Sequence, residues 1–416
     1  MSAYTSDIAN APQLTIPQFI DELGTNKITW MLFILLGLSM MFEGYDYAIV
    51  NFALPSIQAE WSLNSVIAGS LSSWSLMGLV IGGVISGPLA DKIGRKKVLV
   101  SSVFLFGLLN LPLYFAQDWI VFSVFRVLAG VGLGACIPIV TTCFSEWMPS
   151  KRRGFFITFG MAWMILGTVI AGIVGGALCN SAAAASVIAG ETELSSVQTV
   201  ALPFLDGLHI DHWRVAFFIG FLPIIYSVIL QFFMLETPYY YASKGQSKKC
   251  IAVLEDYERK ATGKTVLAER LNPNHLLPVR PEKVKVSPLE LFNKKYVKAT
   301  LGIWIGYFCG CLVLYGMNAF LPRLCGAMGY TYTLATISMA AAFIANILCG
   351  YVSDIIGRKR TVVIGFIAGA VCMYLRLRLH RGMAVCSAYN RDDSTGLHGE
   401  FRTNRYPANH AGIVSD

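Results

Sequence analysis

Two carboxylates and one guanidinium lie in stretches of chain that are otherwise apolar. Glu43-Gly44-Tyr45-Asp46 sits inside the run that begins at Ile28, and Arg126 sits early in another that begins near residue 119. On a helix, residues three apart share a face, so Glu43 and Asp46 can act on one space. A charge at membrane depth is expensive unless it is protonated, paired or turned toward a water-filled cavity. A carboxyl group in that setting can load and release a proton, as a proton-coupled carrier requires. Arg126 is the natural counter-charge for either acid, and it can equally attract a carboxylate substrate. Two blander readings stand beside this one. The acids can be packing groups satisfied by Arg126 or by hydroxyls, and Arg126 can snorkel to the outer surface. All six histidines fall in loops or in the C-terminal tail, so a buried proton site has to be Asp46 or Glu43.

The elements that must carry these groups are membrane-spanning helices. Of the 416 residues 55% are hydrophobic and only 14% charged, with a mean hydropathy of +0.56. Soluble domains are about 25% charged. Apolar runs near 20 residues long, enough to cross about 30 Å of hydrocarbon, are predicted at 28–50, 64–88, 97–116, 119–142, 154–178, 213–235, 299–321, 331–352 and 361–375. Lys and Arg concentrate in alternate loops. Lys92, Arg95, Lys96 and Lys97 follow the second span, Lys151, Arg152 and Arg153 the fourth, and Arg358, Lys359 and Arg360 the eighth. The segments 51–66 and 179–213 hold no Lys or Arg, and 322–330 holds only Arg323. By the positive-inside rule the N-terminus is cytoplasmic, in the cell membrane. The net charge of +8 therefore reads as topology, with a lipid bilayer and not nucleic acid as the partner. The first 27 residues lack a basic n-region, so no cleaved signal peptide is expected. The ten cysteines form no metal-ligand pattern, and those inside spans, such as Cys136, Cys143, Cys309 and Cys349, read as small packing residues. No metal or cofactor is expected.

Five regions follow. Residues 1–27 form an N-terminal cytoplasmic segment and 28–236 a six-helix bundle. A polar central loop at 237–298 carries thirteen basic residues, with an amphipathic helix expected around Ile251 to Leu271. Residues 299–375 make a partial second bundle. Residues 376–416 are an Arg-rich tail without an apolar run, and a frame shift near residue 375 or a natural polar tail would each produce it. The ninth predicted span is short, and nine crossings would place this tail outside, so its stable insertion is in question.

One motif occurs twice. Gly87-Pro-Leu-Ala-Asp91-Lys92-Ile-Gly94-Arg95-Lys96-Lys97 joins the second and third spans, and Gly350-Tyr-Val-Ser-Asp354-Ile-Ile-Gly357-Arg358-Lys359-Arg360 joins the eighth and ninth. With six spans per bundle these are equivalent positions, the mark of an internal repeat. Gly94 and Gly357 permit the turn. Gly87 and Gly350 would let a neighbouring helix approach. Asp91 and Asp354 can pair with the following Arg or with a facing helix end. In the fourth span, Arg126-Val-Leu-Ala-Gly130-Val-Gly132-Leu-Gly134 offers a smooth glycine face, leading to Glu146, Pro149, Arg153 and Gly154.

These residues resemble the loop and helix signatures of the major facilitator superfamily, over about residues 28–375. The resemblance implies an all-α integral membrane protein, a major facilitator-type bundle with a six-span N-terminal half and a truncated C-terminal half. It implies that the repeated motif braces one bundle against the other without touching substrate, and that Arg126 serves proton coupling or substrate contact. Ile355 departs from the pattern, since the family often has a basic residue there. Leu235-Glu236-Thr237-Pro238 is similar to the family's acid-and-proline signature. The acid-Gly-aromatic-Asp sequence of the first span is similar to the aromatic acid:proton symporters, and niacin, sugar and organic-cation carriers share much of it. The expected function is therefore proton-coupled symport of a small organic acid by alternating access, by a monomer, with Tyr45, Tyr47, Asn51, Trp74, Tyr315 and Asn318 as cavity candidates. A sugar, polyol or organic-cation porter and a transporter-like sensor working through 237–298 are the alternatives, and without the last three helices that the resemblance implies the chain as written is expected to be a non-functional carrier. No nucleophile–base pair or phosphate loop suggests an enzyme.

Overall fold

The computed structural model describes residues 14–179, 212–271, 273, 276, 292–327, 332–357, 359–372 and 374, without the side chains of 212, 317–327, 332, 333, 353 and 354. The chain divides into two compact units, Met1–Tyr351 and Val352–Asp416. In the first, a short helix α1 (Ile16–Leu23) precedes α2 (Lys27–Glu60), α3 (Ser65–Ile93), α4 (Arg95–Tyr114), α5 (Trp119–Trp147) and α6 (Arg153–Leu178). The sixth span is two pieces, α7 (His212–Ile219) and α8 (Leu222–Phe233), broken where Gly220 meets Asn110 and where Pro223 starts the second piece. Short α9 (Pro238–Ser243), then α10 (Ser247–Thr262), α11 (Val297–Ala327) and α12 (Tyr332–Ile356) complete it. Eight helices among the described residues are long and apolar enough to cross a membrane. In the second unit residues 359–372 are helical, where the ninth span was expected, and the tail lies outside the described residues.

The sequence boundaries erred mainly in length. The first helix continues past the predicted end at residue 50 as far as Glu60, passing through Pro55. Pro55 has no N–H for the carbonyl of Asn51. α2 tolerates this because it is buried over most of its length and held by neighbours on several sides.

Glycine decides which helices touch. A Cβ on Gly78 would lie 2.8 Å from the Gly130 Cα, and one on Gly134 would strike the Leu79 carbonyl, so α3 and α5 meet backbone to backbone. Gly44 and Gly167 do the same for α2 and α6 against Met164 and Met41. Without a hydrophobic driving force between helices in lipid, such contacts supply the packing. These two seams fix α2, α3, α5 and α6 around the buried charges.

At the Arg95 end of the bundle the central segment packs onto the helices rather than lying loose on the surface. α10 buries Cys250, Leu254 and Tyr257 on one face and ends at Gly263, whose φ of 79° suits glycine. Tyr257 stacks on Trp147 with ring centres 5.0 Å apart, and its hydroxyl meets Thr29 Oγ1 at 2.9 Å. The buried Glu258 carboxylate accepts from the Leu267 and Ala268 amides at 2.9 and 2.8 Å. Leu14 N donates to the Arg270 carbonyl at 3.0 Å, and Arg270 pairs with Glu22 at 3.2 Å, so the N-terminal segment docks on the central one.

Candidate functional site

Asp46 leaves α2 toward α5 and α3. Arg126 Nη1 donates to both Asp46 oxygens, at 3.1 and 3.2 Å, and Nη2 donates to the Asp46 carbonyl at 3.1 Å. Its Nε donates to Ser75 Oγ at 2.9 Å, and its guanidinium carbon lies 5.9 Å from the centre of the Phe217 ring. The Arg126 side chain is 0% exposed and that of Asp46 1%. Two helices thus share a closed ion pair whose carboxylate is fully engaged. Burying two charges costs several kcal/mol each, and close pairing with extra hydrogen bonds, here to Ser75 and the Asp46 carbonyl, is what offsets it. The snorkelling alternative for Arg126 does not hold, because the chain has placed its acid partner within the bundle.

Glu43 is equally buried and has no such partner. Neither carboxyl oxygen makes a hydrogen bond of good geometry. The Cys136 thiol of α5 lies beside it, and Tyr315 of α11 is near enough to feel its charge. Tyr47, one turn along α2, meets Tyr315 edge to face with ring centres 5.5 Å apart. Glu43 and Asp46, one helix turn apart, therefore occupy different settings.

The other cavity candidates separate. Tyr47 and Tyr315 stand together at the α2–α11 contact. Trp74 is partly buried and its indole N–H has no partner. Tyr45 instead donates to the Ala216 carbonyl at 2.8 Å within an apolar cluster, and Asn51 accepts from Ser72 at 2.9 Å, so both link neighbouring helices. Asn318 lies in α11, its side chain outside the described residues. Ser75 was not singled out in the sequence and Cys136 read only as a packing residue, since small polar residues in apolar spans carry no signal until their neighbours are known.

A second polar cluster closes the Arg95 end. Arg95 pairs with Asp91 at 3.1 Å and with Glu146 at 3.4 Å, and its guanidinium carbon sits 5.9 Å from the Tyr240 ring centre. Glu236 Oε1 accepts from the Arg95 and Lys96 amides at 2.9 and 3.1 Å, capping α4. Burial pushes the Glu236 carboxyl above the usual range, and the backbone donors of Lys96, Thr237 and Arg95 pull against that. Gly94, at φ 107°, makes the turn, and Gly357 repeats it at 95°. Lys92 offers its carbonyl to the Tyr240 hydroxyl at 3.3 Å. Among the described residues a Cβ on Gly87 would meet nothing within 4 Å, so the close approach expected there is not seen between them. Gly350 does pack closely, since a Cβ there would lie 2.7 Å from a Thr158 methyl. Arg358 and the side chain of Asp354 lie outside the described residues, and Lys359 begins the helical stretch 359–372. Pro149 opens the turn Ser150–Arg152, Arg153 Nη2 donates to Ser150 Oγ at 3.5 Å, and Gly154 is exposed in the first turn of α6.

A profile of the Major Facilitator Superfamily matches residues 36–379. The chain belongs to that family. It is a multi-pass membrane transporter of the superfamily and not an enzyme. It is 26% identical over 369 residues to the gallate transporter of Pseudomonas putida, covering 86% of this chain and 73% of that one. The benzoate transport protein of Acinetobacter baylyi is 25% identical over 375 residues, 87% of this chain and 72% of the relative. The fold also matches a partially occluded, inward-open structure of the xylose transporter XylE from E. coli, with TM-score 0.58 and 16% identity over 79% of this chain and 74% of that one.

Proposed function

We propose that this superfamily member is a proton-coupled symporter of a small aromatic acid, working by alternating access. The observation that carries the reading is the Asp46–Arg126 pair at 3.1 Å with the unpartnered Glu43 one turn away, both between apolar helices. Such groups in a spanning segment are a transport site by default. The Tyr47–Tyr315 pair beside Glu43 offers ring edges to a planar substrate, and Arg126 supplies the cationic field that favours a carboxylate. The names of the gallate and benzoate relatives support the same substrate class. A sugar porter has likeness of fold alone behind it.

The chain acts as a monomer in the bilayer with its N-terminus in the cytoplasm. The Lys- and Arg-rich loops that share the Arg95 end support that orientation. Residues 28–236 form the first bundle, 237–298 the central cytoplasmic segment and 299–375 the start of the second bundle. In this reading the Arg95 cluster braces the inner end, and the glycine seams keep each half rigid as it rocks.

The test is uptake by vesicles containing the purified chain, with labelled benzoate, gallate and xylose offered under an imposed proton gradient. Accumulation of either aromatic acid that collapses with a protonophore is the expected outcome. Accumulation of xylose in their place, or no gradient-driven uptake at all, refutes the reading.

A further inference from the structure

The groove between α4 and α8 carries a graded set of side chains outside the transport site. Ser101, Phe104 and Leu105 of α4 and Ser227, Val228 and Gln231 of α8 line it, around a volume of about 520 Å³ open to the surface of the bundle. Its shape follows from two contacts. At the far end Gly107 brings the helices together, since a Cβ there would lie 3.0 Å from the Ile224 nitrogen and 3.1 Å from Pro223 Cβ. At the near end Glu236, just beyond α8, holds the first turn of α4 through the Arg95 and Lys96 amides. Between these contacts the groove opens.

The lining changes character with depth. α4 and α8 run antiparallel, so the order inward from the Arg95 end is Lys97, then Ser101 and Gln231, then Phe104, Leu105 and Val228. Lys97, Ser101 and Leu105 follow one another at spacings of four and share a face of α4, and all three are exposed. At 1.5 Å per residue Ser101 lies about 9 Å in from Arg95. The polar zone of a bilayer is about 5–8 Å deep on each side, so Ser101 and Gln231 stand where it gives way to hydrocarbon. Gln231 is exposed, and no other described residue hydrogen-bonds its side chain or the Ser101 hydroxyl. An amide and a hydroxyl left bare against hydrocarbon cost free energy. A cation, then two donors, then apolar walls is the complement of a phospholipid read from its phosphate through its ester carbonyls to its acyl chain. An apolar helix from a second copy would leave Lys97, Ser101 and Gln231 without acceptors.

We propose that this groove is a binding site for a diacyl phospholipid of the leaflet on the Arg95 side. Lys97 meets the phosphate, Ser101 Oγ and the Gln231 amide donate to the ester carbonyls, and one acyl chain lies along Phe104, Leu105 and Val228. Every group comes from α4 or α8, so the site is complete within the first bundle.

The test is photolabelling of the purified full-length chain in vesicles of dioleoyl phosphatidylglycerol, doped with the same lipid carrying a diazirine in one chain. Adducts mapped by mass spectrometry should concentrate on Phe104, Leu105 and Val228 over Phe155, an exposed apolar side chain of α6 at the same end. Native mass spectra with three probes assign the groups: the diester lipid, its diether analogue, which has no carbonyls, and diacylglycerol, which has no phosphate. Gln231→Leu and Ser101→Ala should each weaken the diester lipid and diacylglycerol by about three- to tenfold and leave the diether lipid unchanged. Lys97→Gln should weaken both phospholipids and leave diacylglycerol unchanged. Val228→Trp, which fills the groove from an exposed position, should remove the adducts on Phe104 and Leu105. Labelling no denser in the groove than at Phe155, or equal retention of diester and diether lipid by the wild type, overturns the site. So does a native dimer whose groove is unlabelled, because a second copy would then cover it.

Discussion

The two arginine clusters of this bundle use the same chemistry for different ends. Arg126 holds Asp46 through one nitrogen on both carboxylate oxygens and is shut away completely. Arg95 spreads itself over Asp91, Glu146 and a tyrosine ring, and its partner Asp91 is 75% exposed. At membrane depth no water replaces a lost partner, so the Arg126 pair has to be closed. At the Arg95 end the arginine and Glu146 are also mostly buried, with 11% and 12% of their side chains exposed, and Asp91 is the partner whose place water can take.

The sharpest way to break the contrast is Arg126→Ala. It strands a buried carboxylate and should cost about 3–5 kcal/mol, enough to lower folded yield in detergent, whereas Arg126→Lys should recover part of it as a point charge without the bonds to Ser75 and the Asp46 carbonyl. Size-exclusion profiles and thermal unfolding measure both. Next comes the seam that seats the pair: Gly134→Val drives a side chain into the Leu79 carbonyl and should destabilise by about 1–3 kcal/mol. Were the melting temperature unchanged, α3 and α5 would not be in backbone contact.

At the Arg95 end the expected effects are smaller. Glu236→Ala removes the cap from two amides of α4 and should cost about 1 kcal/mol. Asp91→Ala breaks an exposed pair worth about 0–1 kcal/mol and should hardly move the melting temperature, so that any large effect on transport would report the conformational brace and not folding. The smallest signal is in pH. The folded chain holds the Glu236 proton more tightly than the unfolded chain, so this group contributes a loss of stability as pH rises from the ordinary 4.5 through its raised value. Glu236→Gln should flatten that part of the stability curve. A wild-type curve that rises there, and falls back in the variant, would show the backbone donors outweighing burial.

Much of this was legible in the chain itself. Apolar runs near 20 residues gave the helices because a spanning segment has to satisfy its own backbone and shed its charges. The repeated Gly-x₃-Asp motif located both turns, since only glycine accepts φ near 100° without strain, as Gly94 and Gly357 show. A lone Glu, Asp and Arg in those runs marked the candidate site, because each is costly at that depth. Periodicity could not foresee the extension of α2 to Glu60 or the break between α7 and α8, which depend on what packs around Pro55 and Gly220.

What the tertiary structure alone decided was pairing. Spacing placed Glu43 and Asp46 on one face with Arg126 available to either, and the helix arrangement gave the arginine to Asp46. It linked Tyr45 to Ala216 and Asn51 to Ser72, and among the described residues it brought nothing close to Gly87 while Gly78 and Gly134 made backbone contacts. Composition states that a charge is expensive at a given depth. Which neighbour compensates it depends on distances between helices far apart in the chain, and those are set by how closely glycine lets the backbones approach.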